Sequence, residues 1–163
     1  MLESLVPHIL KAFKLSSEAW LAKYPHPAFV VEPFRIGAGG IGTMSTEGPS
    51  DGSERSLAWI KKREGANAFG IMVTIGRAKN NDIAISAQDV SKFHAYVRFE
   101  SDESATLTDA GSSLGTFIGD RTLVPREEKA PLTDGTLVRL GTVVLRYFTP
   151  TGLHAHLRED DAA

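Results

Sequence analysis

The residues able to do chemistry in this 163-residue chain concentrate between positions 75 and 116. Ile75-Gly76-Arg77 ends a run of alternating apolar residues. A strand that stops in Gly-Arg presents a guanidinium at the rim of a sheet, where connecting loops gather. Asn80-Asn81-Asp82-Ile83 reads as a turn feeding a short strand, and Val90-Ser91-Lys92-Phe93-His94-Ala95 as a loop entering another. Asp109-Ala110-Gly111-Ser112-Ser113-Leu114-Gly115-Thr116 is a Gly/Ser-rich loop leading into a third. An Arg, a Lys, several hydroxyls and backbone amides freed by Gly make a donor set for a small dianion. The guanidinium offers a planar fork and the hydroxyls short directional bonds; a phosphate has the oxygens to accept them all.

Other chemical patterns are weaker. Gly37-Ala38-Gly39-Gly40-Ile41-Gly42 matches the glycine spacing of a dinucleotide-binding turn. That turn needs a helix directly after it, to hold a pyrophosphate at its N-terminus. Thr43-Met44-Ser45-Thr46-Glu47-Gly48-Pro49 has no helical apolar period, so the stretch reads as a loop and a nucleotide-using enzyme is disfavoured. His154 and His156 would share one face of a strand and could hold a metal. No third ligand is placed with them, and they read as solvated residues ahead of an acidic tail. No Ser/His/Asp or paired-carboxylate spacing points to catalysis. The expectation is therefore recognition rather than an enzyme, with no cofactor and no metal.

These loops need a scaffold. Ile71, Val73 and Ile75 alternate with Met72 and Thr74, and Phe93, Ala95, Val97 and Phe99 with His94, Tyr96 and Arg98. Alternation returns at 137–140, after the turn signal Asp134-Gly135, and again at 143–148. Period-two runs at regular spacing, with no long helical pattern between them, predict an all-β fold, an antiparallel β-sandwich. Upstream, Leu2, Leu5, Val6, Ile9, Leu10 and Phe13 recur at helical spacing. Pro7 is cheap only in a first turn, so that helix starts near Val6. Ser16 or Ser17 caps a second short helix through Lys23. Ala28–Glu32 and Phe34–Ile36 read as short strands, and 37–53 as a Gly-rich loop. The expected organisation is a small, partly helical extension over 1–55, a sandwich domain over 56–150 and a C-terminal tail over 151–163.

Composition limits the function. Apolar residues make up 42% and charged residues 23%, an ordinary globular mixture with net charge −2. A general nucleic-acid binder is far more basic. The absence of Cys excludes disulfides, thiol catalysis and Cys-based zinc sites. No long apolar run predicts a membrane span. The N-terminus, interrupted by Glu3, His8, Lys11 and Lys14, does not read as a signal peptide. The expected location is cytoplasmic. Residues 56–98 carry seven basic against three acidic side chains, and residues 99–163 carry six against eleven. A locally basic segment in a mildly acidic chain suits an anion site better than a long polyanion track.

In order and spacing these pieces resemble the forkhead-associated (FHA) domain, a phosphothreonine-binding β-sandwich of the FHA/SMAD-like type. The family pattern is Gly-Arg, Asn-Asp-Ile, Ser-Arg-x-His, a Ser-x-Asn-Gly-Thr loop and a late Asp-Gly turn. This chain shows Gly76-Arg77, Asn81-Asp82-Ile83, Ser91-Lys92-Phe93-His94, Ser112-Ser113-Leu114-Gly115-Thr116 and Asp134-Gly135. The resemblance implies that Arg77 and Ser91 bind the phosphate and that the Ser113 hydroxyl also reaches it. Lys92 replaces the usual Arg and offers a point-charge contact. His94 is implied to brace the binding loops, with Gly76, Gly115 and Thr116 holding loop shape. Leu114 departs from the pattern: the family has an Asn there that grips the peptide backbone, and Leu has neither donor nor acceptor. The implied function is phosphothreonine-dependent protein binding in Ser/Thr-kinase signalling, with a partner that is such a kinase or its substrate. The alternative is an FHA-like scaffold that binds its partner independently of phosphate, because Leu114 removes the grip. Neither nucleic acid nor membrane is implied as a partner.

Overall fold

The computed structural model describes residues 2–34, 54–101 and 104–160. The glycine motif 37–42 and the loop expected over 37–53 lie outside them, as do the last two residues of the strand expected over Phe34–Ile36. In chain order the elements are β1 (Glu3–Ser4), α1 (Val6–Lys14), α2 (Ser17–Lys23), β2 (Ala28–Val31), β3 (Ser56–Trp59) and β4 (Val73–Gly76). There follow β5 (Ile83–Ala84), β6 (Ala95–Phe99), β7 (Ala105–Asp109), β8 (Thr116–Ile118), β9 (Arg121–Thr122) and β10 (Ala130–Leu132). The chain then runs through β11 (Leu137–Leu140), β12 (Val143–Phe148) and α3 (Pro150–Asp160).

Among the described residues the strands form two sheets. One has the order β1-β3-β2-β12-β11-β8-β9 and the other β10-β7-β6-β4-β5. Every pairing is antiparallel except β4 with β5, which is parallel with Ile75 opposite Ile83. Alternation drives the packing. Phe29, Val31, Ile75, Val97, Leu107, Val138, Leu140 and Leu145 meet in one core between the sheets. The sandwich expected from sequence is thus present. β4, however, begins at Val73, and Ile71, read as part of the same alternating run, is 71% exposed.

A second core explains the rest of the chain. β2 is buried at every position. Phe29 and Val31 face the other sheet, while Ala28 and Val30 join Trp20, Leu57, Phe148, Leu153 and Leu157 in a separate cluster. A strand covered on both faces needs no polar alternation. The cover is helical: α1 and α2 contact α3, and α3 contacts β12. Pro7 sits in the first turn of α1, and Ser16 caps α2 by accepting from the Ala19 amide at 3.2 Å. The sheet takes β1 and β2 from the segment read as an extension, and the segment read as a tail is mostly α3.

That helix corrects the reading of its two histidines as solvated. His154 is buried, and its Nε2 lies 3.0 Å from the carbonyls of both Ala12 and Leu15, where it closes the C-terminal end of α1. His156 stacks on Phe148 with ring centroids 4.4 Å apart. Two residues apart on a helix point about 200° from each other, so the pair cannot share a metal as it would on a strand.

Candidate functional site

Three loops meet at one end of the sandwich: β4–β5, β5–β6 and β7–β8. Their junction is built from backbone outward. The Arg77 amide donates to the Ser91 carbonyl at 2.9 Å, and the Ala78 amide to the Lys92 carbonyl at 3.2 Å. Asn81 is buried and donates its side-chain amide to the carbonyls of Ala78 and Lys92, at 2.8 and 2.6 Å. Gly76 permits this contact by size alone. A Cβ there would lie 2.2 Å from the Lys92 carbonyl oxygen, so any side chain would force the two loops apart.

His94 joins the second loop to the third. Its ring is fully buried, Nδ1 accepts from the Ser91 amide at 3.0 Å, and Nε2 donates to the Gly115 carbonyl at 2.9 Å. The acceptor role of Nδ1 fixes the neutral tautomer with its proton on Nε2. Burial pushes the imidazole pKa below its ordinary value, against the opposing pull of the Gly115 carbonyl and the Asp109 charge. The ring thus links the Ser91 loop to the Gly115 loop through two hydrogen bonds.

Asp109 shapes the third loop and was not singled out as a site residue from sequence. Its carboxylate is buried and accepts from the Ser112 hydroxyl at 2.5 Å, the Thr116 hydroxyl at 2.6 Å, and the amides of Gly111 and Ser112 at 2.9 and 3.1 Å. Burial pushes its pKa up, but these donors outweigh burial and hold it below the ordinary carboxylate value. Ser112 relays the order by accepting from the Gly115 amide at 3.0 Å. Gly115 has φ +90°, a conformation that side chains rarely adopt. Asp109-Ala110-Gly111-Ser112, an Asp two residues ahead of Gly-Ser, is a signature of a side-chain-closed turn and could have flagged Asp109.

A second buried carboxylate, Asp82, supports the first loop. Lys62 Nζ lies 2.6 Å from it, and the amides of Arg63 and Thr74 donate at 2.8 and 2.9 Å. Burial opposes ionisation, yet Lys62 and the amide donors hold its pKa below the ordinary value. Lys62 lies twenty residues upstream, so no local pattern announces the pair.

The donor groups stand on this framework. Arg77 and Lys92 are exposed, and neither side chain has a partner among the described residues. Ser91 Oγ accepts from the Ser113 amide at 3.0 Å, which leaves its own proton free to donate outward. Ser113 and Leu114 are exposed, Leu114 by 53%. The structure therefore brings Arg77, Ser91, Lys92 and Ser113 onto adjoining loops, with Gly76, His94, Gly115 and Thr116 beneath them. Among the described residues no cluster of His, Asp and Glu is arranged to hold a metal ion. No described helix is long and apolar enough to cross a membrane.

The loops of the sandwich thus meet over a Gly-Arg turn and a Ser-x-x-His segment whose imidazole bridges two of them. Residues 73–141 match the family model of the FHA domain. No curated protein matches it significantly in sequence. Among solved structures it is similar to the FHA domain of CT664 from Chlamydia trachomatis, at 20% identity, covering 76% of this chain and 96% of that one, with TM-score 0.51. It is also similar to the FHA domain of an Arabidopsis thaliana protein, at 21% identity, covering 76% and 85%, with TM-score 0.53. A third similar structure comes from work on phosphothreonine-dependent FHA domain interactions, at 17% identity, covering 76% and 96%, with TM-score 0.50. At these identities the likeness establishes the fold.

Proposed function

We propose that this protein is a phosphothreonine-dependent binding module. The observation that carries the reading is the junction of the loops bearing Arg77, Ser91 and Lys92, where the Arg77 amide donates to the Ser91 carbonyl, the Ala78 amide to the Lys92 carbonyl, and Ser91 Oγ accepts from the Ser113 amide while its own proton is left to donate. Two cations without an internal partner among the described residues, and a hydroxyl whose proton is not spent on the Ser113 amide, suit a dianion. Arg77 and Ser91 bind the phosphate, Ser113 adds a hydroxyl, and Lys92 adds a point charge. The partner is a phosphothreonine-bearing cytoplasmic protein, a Ser/Thr kinase or its substrate. The role is recognition rather than catalysis, with no cofactor or metal.

The test is titration of matched phosphorylated and unphosphorylated peptides against wild type and Arg77→Ala. A charge-assisted bond contributes about 1.5–3 kcal/mol, so the variant should bind the phosphorylated peptide roughly tenfold to several hundredfold more weakly. Unchanged affinity in a folded variant removes Arg77 from the site. One observation favours a second reading, a scaffold indifferent to phosphate. Leu114 exposes an apolar side chain where the family presents an Asn to the peptide backbone. Equal binding of both peptides would select it.

A further inference from the structure

Two aromatic rings beside the phosphate site take no part in the reading above. Phe69 is 45% exposed and Phe93 37%. They stack on one another with centroids 5.8 Å apart and an interplanar angle of 24°. Scattered exposed apolar residues need no explanation, but a contiguous patch beside a recognition loop does. The pair lines a groove of about 340 Å³ together with Ala78, Asn67, Asn81 and Lys92. Lys92 is a donor of the phosphate site, and Asn81 holds the turn that carries Arg77. The groove is therefore continuous with that site.

Its outer wall is held by specific contacts. Asn67 donates to the Asn80 carbonyl at 2.9 Å, and its own side-chain oxygen accepts from Lys62 Nζ at 2.8 Å and from the Phe69 amide at 3.1 Å. These bonds tie the segment bearing Phe69 to the β4–β5 loop. Phe69 lies outside residues 73–141, which match the family model.

We infer that the groove is a selectivity pocket for an apolar side chain of the phosphothreonine ligand, close in sequence to the phosphorylated residue. The inference rests on the phosphothreonine reading. It also meets the departure at Leu114: a ligand deprived of the backbone grip from Asn gains a side-chain anchor between two phenyl rings. The cavity has room for Leu, Met or Phe, and its amide-lined lip suits the peptide flanking such a residue.

The experiment pans phosphothreonine peptides with randomised flanks on wild type, Phe69→Ala and Phe93→Ala, using the full chain. Wild type is expected to enrich Leu, Met, Ile or Phe at one flanking position, by about five- to fiftyfold over Ala. Both variants are expected to lose that enrichment while still preferring phosphorylated over unphosphorylated peptide. Phosphate-dependent binding with no apolar preference in wild type overturns the pocket and leaves the phosphothreonine reading standing. A preference that survives in both variants overturns the pocket too. Binding indifferent to phosphate overturns the reading beneath it.

Discussion

Replacing His94 by Ala separates bracing from binding. The ring links Ser91 to Gly115 through two hydrogen bonds inside a fully buried space. Its removal strands the Ser91 amide, at a cost of about 1–3 kcal/mol when water cannot replace the partner, leaves the Gly115 carbonyl with the Gly141 amide alone, and adds the cost of the cavity the ring vacates. The expected loss of stability is about 2–5 kcal/mol, or roughly 5–15 °C in Tm at this chain length. Differential scanning calorimetry measures it, and peptide titration at a temperature where the variant is folded measures binding separately. Protonation supplies a parallel test. The folded imidazole has a pKa held below its ordinary value, while the unfolded chain takes up a proton near pH 6.5. The contribution of neutral His94 is whole above pH 6.5 and is lost as pH falls through the folded pKa. His8, also pushed down by burial, adds a slope of the same sign. Wild type should therefore lose stability on acidification below about pH 6.5, and His94→Ala should lose less of it. A His94→Ala protein with the wild-type Tm but no binding would refute the bracing role and put the ring in contact with ligand.

Leu114→Asn restores a side chain able to pair with a peptide backbone. A neutral hydrogen bond gives about 0.5–1.5 kcal/mol, so a phosphothreonine peptide should bind roughly two- to tenfold more tightly by calorimetric titration. Weaker binding would make Leu114 itself a recognition residue. Gly76→Ala places a Cβ 2.2 Å from the Lys92 carbonyl oxygen, so both chemical denaturation and phosphopeptide titration should show large losses. Retention of either would mean that the loops can separate. A Thr→Glu peptide carries one charge on a planar group, against about −1.5 to −2 on tetrahedral phosphate, and should bind far more weakly; equal affinity favours the phosphate-independent scaffold.

Much of the scaffold was legible because short-range rules dictate it. Alternation at 137–140 and 143–148 describes a pleated surface with one buried face, and those runs are β11 and β12. Ser16 and Pro7 mark helix starts through local backbone chemistry, and both stand where helices start. The Gly-Arg, Asn-Asp-Ile, Ser-x-x-His and Gly-Thr pieces each define a strand end and its loop. Their order along the chain marks candidate donors, although it does not show that the Arg77 amide and the Ser91 carbonyl meet.

Tertiary structure decided whatever depends on which surface covers which. The strand at Ala28–Val31 is apolar on both faces because three helices cover the outer one. The segment after Pro150 is helical because Leu153 and Leu157 find Trp20 and Phe148 there, and His154 finds the open end of α1. Ionised Asp109 and Asp82 survive burial through donors gathered by folding, one of them twenty residues away in Lys62. The Phe69–Phe93 stack joins residues from separate loops. Local sequence sets the period and the caps of an element, whose interactions span a few residues. The partner of a buried charge or an apolar face is fixed only when distant segments are brought within a few ångströms, where desolvation and packing outweigh intrinsic preference.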